Sequence, residues 1–476
     1  LFDLHKGPLL RVKLLRMAAD DHALIITLHH IVSDGWSMGI MVDELVALYA
    51  AYSANKTAQL PALPVQYADY AVWQRQWMEA GERERQLNYW TAQLGDGEQP
   101  LLELPTDRPR PSEQSYRGAR QDIALSAELA AGLKHAAQRE NVTLFALLLA
   151  SFHTLLHRYS GQADIRVGVP VANRNRVETE GLIGFFVNTQ VLKAEFDSQQ
   201  TFRSLLQQVK RTVLDAQAHQ DLTFEQLVDA LQPERSLSHS PLFQVLHNHQ
   251  SQARQGSGAT RLPQIAIEGL NWPSHTAQFD LTLDTFESTD NVWAELTYAT
   301  DLFDATTLQR LAQHWTNLLH SIVADCTLRI AELPLHDNVE RQATLLQWNP
   351  VVADFPSDAC LHQLIEAQAE RAPQAVAVTC AEQTLSYGEL NSRANQLAHK
   401  LIASGVGPDV RVGLAVERSL EMLVGLLAIL KAGGAYVPLD PSYPQDRLSY
   451  MIGDSGIELL LTQSHLLERL PVPDCV

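Results

Sequence analysis

Residues 28–37 read Leu-His-His-Ile-Val-Ser-Asp-Gly-Trp-Ser, and the fold is best approached from this stretch. Ahead of it, apolar runs from Leu9 to Arg16 and from Ala23 to His30 have the length and composition of two buried strands. Within it, Asp34-Gly35 is a turn signal. Behind it, Met41, Leu45, Leu48, Tyr49 and Tyr52 recur at helical spacing and form one apolar face. Successive strand residues point to opposite sides. His29 and His30 therefore cannot line one pocket while the strand lasts, so one is expected to be structural and the other free to act. Histidine is the natural proton acceptor near neutral pH. Asp34, across a turn, either orients a histidine or pins the loop through an ion pair. Gly35 lets the backbone approach a substrate, and its N–H can donate to a developing oxyanion. An isolated His-His pair at a strand end is more often simply packed; the Asp-Gly at this spacing weighs against that reading.

The chain has 476 residues. At roughly 100–200 residues per domain this gives two to four units. Hydrophobic residues make up 46% and charged residues 19%, as in ordinary globular proteins. A formal net charge of -19 repels phosphates and argues against nucleic-acid or anionic-membrane partners. Cys326, Cys360, Cys380 and Cys475 lack zinc-ligand or redox spacing, which fits reduced cytoplasmic thiols. The longest apolar stretch, Met422 to Leu430, is far short of the roughly 20 residues of a membrane span, and no signal peptide opens the chain. The expectation is a soluble cytoplasmic protein. The first residue is not Met, and the ending "LLERLPVPDCV" has no closing element, so both ends read as cuts.

Further along, a helix is expected from Leu144 to Tyr159, a strand over "ADIRVGVPVA", another over "LIGFFVNTQVLKAEF", and a helix from Phe202 to Ala218. "SQARQGSGATRLP" reads as a linker. "FDLTLDTFES" and "NVWAELTYAT" read as neighbouring strands, and "TTLQRLAQHWTNLLHSIVAD" as a closing helix. Periodicity fades over 333–358, where the domain junction is placed. Beyond it helices and strands alternate, as in a parallel α/β sheet.

"HHIVSDG" resembles the H-H-x-x-x-D-G signature of condensation domains, relatives of chloramphenicol acetyltransferase. "YADYAVW", "IGFFVNTQ", "HQDLTFE" and "RSLSHSPLFQV" resemble four further motifs of that family, in its order. The resemblance covers roughly residues 1–330. It implies a two-lobed α/β fold in which two carrier-bound thioesters enter a tunnel from opposite ends. The acceptor's α-amine then attacks the donor's carbonyl and forms an amide. His30 would position or deprotonate that amine, with Gly35 beside it. His29 and Asp34 would be structural, Asp34 being tied to an arginine: Arg174 in the first instance, Arg176 as the alternative. Tyr67, Tyr70, Trp73, Asn188, His219 and Glu225 are read as scaffold, and His247 and His249 as incidental. The histidine pair argues against the heterocyclising subtype, and "SDGWSMGIMVDEL" resembles the form that joins an L-donor to an L-acceptor. The family's earliest motifs do not occur in the chain.

"LSYGELNSRANQLAHKL" and "LKAGGAYVPLDPSYPQDRL" resemble the first two motifs of adenylation domains, the acyl-adenylate-forming enzymes. Neither carries a nucleophile or phosphate cradle, so both read as scaffold. The resulting expectation is an N-terminally truncated condensation domain over 1–332, a linker over 333–358, and the N-terminal part of an adenylation domain over 359–476. Upstream and downstream peptidyl carrier domains are the implied partners. Phosphopantetheine would sit on those partners, ATP and Mg would serve only a complete adenylation domain, and no cofactor or metal is expected on the chain itself. A free-standing coenzyme A-dependent acyltransferase and a noncatalytic docking platform are the competing readings.

Overall fold

Leu10–Arg16 (β1) and His22–Leu28 (β2) pair antiparallel, Leu10 opposite Leu28 and Arg16 opposite His22. This is the first departure from expectation, because β1 is exposed throughout and β2 is at best half-buried. The two strands form a sheet of their own, so among the described residues no neighbouring strand covers an edge. The computed structural model describes residues 2–95, 97, 99–233, 236–251, 275–289, 291–349 and 355–471. They fall into two units, Leu1–Asn349 and Pro350–Val476. The division lies inside the segment read as the junction, part of which is helical rather than irregular. Most of the "SQARQGSGATRLP" stretch, and Cys475, lie outside the described residues.

In the first unit the chain continues through α1 (Gly35–Ser53), α2 (Tyr67–Trp77), α3 (Arg83–Leu94), β3 (Gly118–Ala124), α4 (Ala127–Arg139) and α5 (Leu144–Ser160). Then follow β4 (Asp164–Val171), α6 (Val177–Glu180), β5 (Asn188–Glu195), α7 (Phe202–Gln217) and α8 (Phe224–Leu231). The unit closes with β6 (Val245–Ser251), β7 (Leu281–Glu287), β8 (Val292–Ala299), α9 (Ala305–Ala324) and α10 (Asn338–Gln342). A six-stranded mixed sheet runs β3-β8-β7-β6-β4-β5, parallel only at β7-β6 and β6-β4. β7 and β8 pair from Leu281 opposite Tyr298 to Glu287 opposite Val292, and their alternate residues are buried. That period-2 pattern is what made them legible in the sequence.

The core lies between this sheet and α4, α5, α7 and α9. Thr143 caps α5 by accepting from Ala146 N, and left-handed Gly161 ends it. Every residue from Ala146 to Leu156 is buried, so α5 is a central helix rather than an amphipathic surface one. Trp315 from α9 packs on it and donates its indole N–H to Ser151 Oγ at 2.9 Å. That bond satisfies the one polar atom of a large buried ring.

The second unit holds α11 (Leu361–Arg371), β9 (Val376–Cys380), β10 (Gln383–Ser386), α12 (Tyr387–Ala403), β11 (Arg411–Ala415), α13 (Leu420–Lys431), β12 (Ala435–Pro438), α14 (Gln445–Ser455) and β13 (Leu459–Thr462). β12-β11-β13 is the expected parallel sheet. β9 does not join it, pairing antiparallel with β10 across a turn at left-handed Ala381. Ser386 and Glu389 form a reciprocal capping box at the start of α12. α13 stops at Gly433, whose φ of 84° is open to glycine.

Candidate functional site

The HHIVSDG stretch leaves the strand earlier than its composition suggests. β2 ends at Leu28, and His30–Val32 form a single 3₁₀ turn. His29 caps that turn through Nδ1, which accepts from Ile31 N at 3.1 Å, while its own N–H donates to Leu9 O. The strand-alternation argument therefore ends at Leu28, and the turn separates the two histidines instead. His29 is bound into the turn. His30 is exposed, its ring edge-on to Phe185 at 5.2 Å, with no side-chain hydrogen bond among the described residues.

Asp34 caps α1, and its carboxylate is saturated. Oδ1 accepts from Ser37 N at 2.8 Å, Ser37 Oγ at 2.7 Å and Arg174 Nη2 at 3.2 Å. Oδ2 accepts from Phe186 N at 3.0 Å. Burial alone would raise the Asp34 pKa, but the Ser37 hydroxyl and amide, the Phe186 amide and the Arg174 charge outweigh it and hold the carboxyl below its ordinary value. Nothing is left over to orient His30. Of the two roles open to Asp34, the geometry has the ion pair. Burial lowers the Arg174 guanidinium from its ordinary value, with Asp34 opposing. Arg174 also donates through Nη1 to Thr179 O and Leu182 O, at 2.6 and 2.8 Å, and its guanidinium lies 4.0 Å from the Phe186 ring centroid. Arg176, the alternative partner, instead stacks over Trp73 at 4.1 Å.

This network explains why "LIGFFVNTQVLKAEF" is a strand only from Asn188 onward. The backbone of 184–186 finds its hydrogen bonds outside any sheet. Gly184 N donates to Ser37 Oγ, Phe185 O accepts from Tyr67 Oη at 2.6 Å, and Phe186 N reaches Asp34. A Cβ on Gly184 would sit 2.2 Å from the Tyr67 ring, so the close approach needs glycine. Gly35 begins α1, and a Cβ there would meet nothing within 4 Å. Its N–H belongs to the first, intrahelically unpaired turn.

The aromatic residues of α2 are half-buried rather than core. Tyr67 and Tyr70 both lean on Phe186, and Trp73 stacks on Trp77. Asn188 donates to Gln220 O and Leu222 O and accepts from Phe224 N and Thr189 N, fixing the loop before α8. Thr223 caps α8, accepting from Gln226 N. His219 stacks on Tyr89 at 4.0 Å and meets Arg85 through Nε2. Ser37 was not singled out in the sequence. It is wholly buried and links Asp34, Arg174 and Gly184, and its spacing three residues after an Asp N-cap was the available signal. His314, His336 and Glu340 place ligand atoms within 4.8 Å of one another. Both ring nitrogens of His314 are already engaged, by Tyr159 Oη at 2.6 Å and Glu340 Oε2 at 2.7 Å.

The family model described as "Condensation domain" matches residues 1–345, more than half of the chain. The chain belongs to the condensation-domain family. A model described as "AMP-binding enzyme" matches residues 365–475. Chondramide synthase of Chondromyces crocatus is 44% identical over 473 residues, 99% of this chain and 12% of that protein. Malpinin synthetase of Mortierella alpina is 44% identical over 474 residues, again 99% of this chain and 6% of the relative. This condensation domain and the region after it thus span only a small fraction of those synthetases. Among solved structures, a four-domain holo nonribosomal peptide synthetase bound to AMP and glycine matches with a TM-score of 0.67 and 27% identity, over 99% of this chain and 36% of that one. The X-domain from teicoplanin biosynthesis matches 70% of this chain and 76% of its own length, with a TM-score of 0.64 and 27% identity. Among the described residues no single helix is long and apolar enough to cross a membrane.

Proposed function

We propose that residues 1–345 form an amide bond between two carrier-bound thioesters in nonribosomal peptide synthesis. The acceptor's α-amine attacks the donor's thioester carbonyl. A C–N bond forms, the C–S bond breaks, and the donor carrier's phosphopantetheine thiol leaves with the proton that the amine gives up. His30 holds or removes that proton, and the Gly35 N–H faces the oxygen on which charge develops. The partners are an upstream and a downstream peptidyl carrier domain, and the donor is an L-residue, as the run after Gly35 resembles. The observation that carries this reading is the division of labour in the motif: Asp34 is fully occupied by Ser37, Phe186 and Arg174, whereas His30 beside it is exposed and uncommitted.

The test is amide formation between a donor and an acceptor carrier protein, each loaded with an aminoacyl thioester. His30→Ala is expected to lower the rate by about 10²–10⁴ while leaving the circular dichroism unchanged. Turnover close to the parent rate takes His30 out of the chemistry. Equal turnover with free coenzyme A thioesters would favour the free-standing acyltransferase instead.

A further inference from the structure

His314, His336 and Glu340 form a cluster that the chemistry above does not use. Their elements carry none of the HHIVSDG network: His314 lies midway along α9, Glu340 on α10, and His336 on the segment just before α10. Ordinary packing holds the three positions together. α9 is set into the core through Trp315 and Leu318, both buried. Asn317, one turn on from His314, donates to Leu335 O at 2.7 Å and fixes the backbone beside His336. Asp337 caps α10 by accepting from Glu340 N at 2.8 Å, which sets where the Glu340 side chain starts.

The three side chains differ in what they are bound to. His314 is 5% exposed, with Nδ1 2.6 Å from Tyr159 Oη and Nε2 2.7 Å from Glu340 Oε2. The Glu340 carboxylate pairs with no Lys or Arg among the described residues, His314 being its one ion-pair partner there. His336 is exposed, makes no side-chain hydrogen bond among the described residues, and stands edge-on to His314 at 4.9 Å between ring centroids. A carboxylate without a fixed cation thus faces two imidazoles, and ligand atoms of all three lie within 4.8 Å of one another.

Two imidazole nitrogens and a carboxylate oxygen are a donor set that zinc takes, whereas magnesium and calcium take oxygen. At metal–ligand distances of about 2.0–2.2 Å, tetrahedral ligands stand about 3.4 Å apart. The Nε2–Oε2 separation is shorter because a proton is shared there, and a metal takes that proton's place. The His336 ring can swing inward without losing a hydrogen bond. Tyr159 is the outer partner such a site needs: its hydroxyl can accept from Nδ1–H, which leaves Nε2 as the ligand. We propose that His314, His336 and Glu340 bind one divalent cation of the zinc class, with water in the fourth position, and that the ion clamps α10 to α9. The proposal does not depend on the acyl-transfer reading.

The experiment strips the tag-free chain with a chelator and titrates it with zinc chloride by calorimetry, with magnesium chloride in parallel. Zinc should bind the parent and raise its melting temperature, and magnesium should do neither. His336→Ala and Glu340→Gln should each take up one zinc per chain fewer than the parent and lose the thermal shift. Tyr159→Phe should weaken zinc binding by about 10–100-fold. Cobalt(II) in place of zinc should give the visible absorption of a four-coordinate ion in the parent and not in His336→Ala. Circular dichroism checks that the variants fold; His336 is exposed and unbonded, so its variant decides if Glu340→Gln does not fold. No zinc uptake by the parent, equal uptake of magnesium, or a zinc stoichiometry and affinity unchanged in His336→Ala overturns the site.

Discussion

Arg174 Nη2 lies 3.2 Å from Asp34 Oδ1, with both side chains almost wholly shielded from water, although the two are 140 positions apart in the chain. A buried ion pair is weak evidence of net stabilisation, but breaking one side strands the other charge and typically costs about 3–5 kcal/mol. Asp34→Asn and Arg174→Ala are each expected to destabilise the first unit on that scale. The double variant should lose clearly less than the sum. Urea denaturation of all four proteins measures the coupling. Strict additivity would show that the two side chains do not act as a pair, and an inactive Asp34→Asn protein of parental stability would give Asp34 a direct part in catalysis.

His153 supplies a pH prediction. It is fully buried in α5, its ring nitrogens 3.0 and 3.1 Å from the Leu149 and Leu192 carbonyl oxygens. Burial drives its pKa down from 6.5 to about 4, against the opposing effect of those carbonyls. Between those values the unfolded chain holds a proton that the folded chain does not. Stability therefore rises with pH across the window and is lost as pH falls, by at most about 1.4 kcal/mol per pH unit for one histidine. His247 and His249 are lowered too and act in the same sense. His153→Leu should remove one proton's share of the slope between pH 6.5 and 4 in denaturant titrations. An unchanged slope would mean that His153 is not held neutral.

The parts of the fold that local chemistry determines were legible in the sequence. Thr143 and Gly161 bracket α5 by capping rules, and the alternation in β7 and β8 follows from one face packing on helices. What was not legible depends on distant partners. Residues 182–187 have strand composition, yet Ser37, Tyr67 and Asp34 take the backbone hydrogen bonds of Gly184, Phe185 and Phe186. β1 and β2 are apolar enough for a core but are exposed. At the site, the motif spacing drew attention to His29, His30 and Asp34, while the choice of Arg174 over Arg176 came from resemblance.

Gly184 tests the close approach that redirects this segment. A methyl group 2.2 Å from the Tyr67 ring has to displace either the ring or the chain, and with it the bond from Tyr67 Oη to Phe185 O. Gly184→Ala is expected to cost about 1–3 kcal/mol by overpacking. Gly184→Ala combined with Tyr67→Ala removes the clash, so the pair should cost less than the sum of the two single changes. Thermal melts followed by tryptophan fluorescence check this, and additive losses would show that the ring is not what excludes a side chain.

Asn188 gives the last prediction. It is 7% exposed, and each end of its amide serves two backbone partners. Nδ2 donates at 2.8 Å to both Gln220 O and Leu222 O, while Oδ1 accepts from Phe224 N and Thr189 N. Asn188→Asp keeps the shape and the acceptor but removes both donors. It also sets a second carboxylate oxygen against two carbonyl oxygens, with no cation among the partners. Stranded buried polar groups cost about 1–3 kcal/mol each, and more when charged. The introduced carboxyl should respond by raising its pKa above the ordinary value, since only its protonated form can donate to one of the carbonyls. The sign follows: the folded variant holds a proton that the unfolded one has released, so the deficit relative to the parent grows as pH rises through that window. Asn188→Asp should therefore be markedly weaker than the parent at about pH 7 and partly recovered at about pH 5, whereas Asn188→Ala should show a loss that does not change with pH. Urea midpoints of the three proteins at both pH values decide it, and a pH-independent deficit for Asn188→Asp would show that the two carbonyls do not depend on this amide.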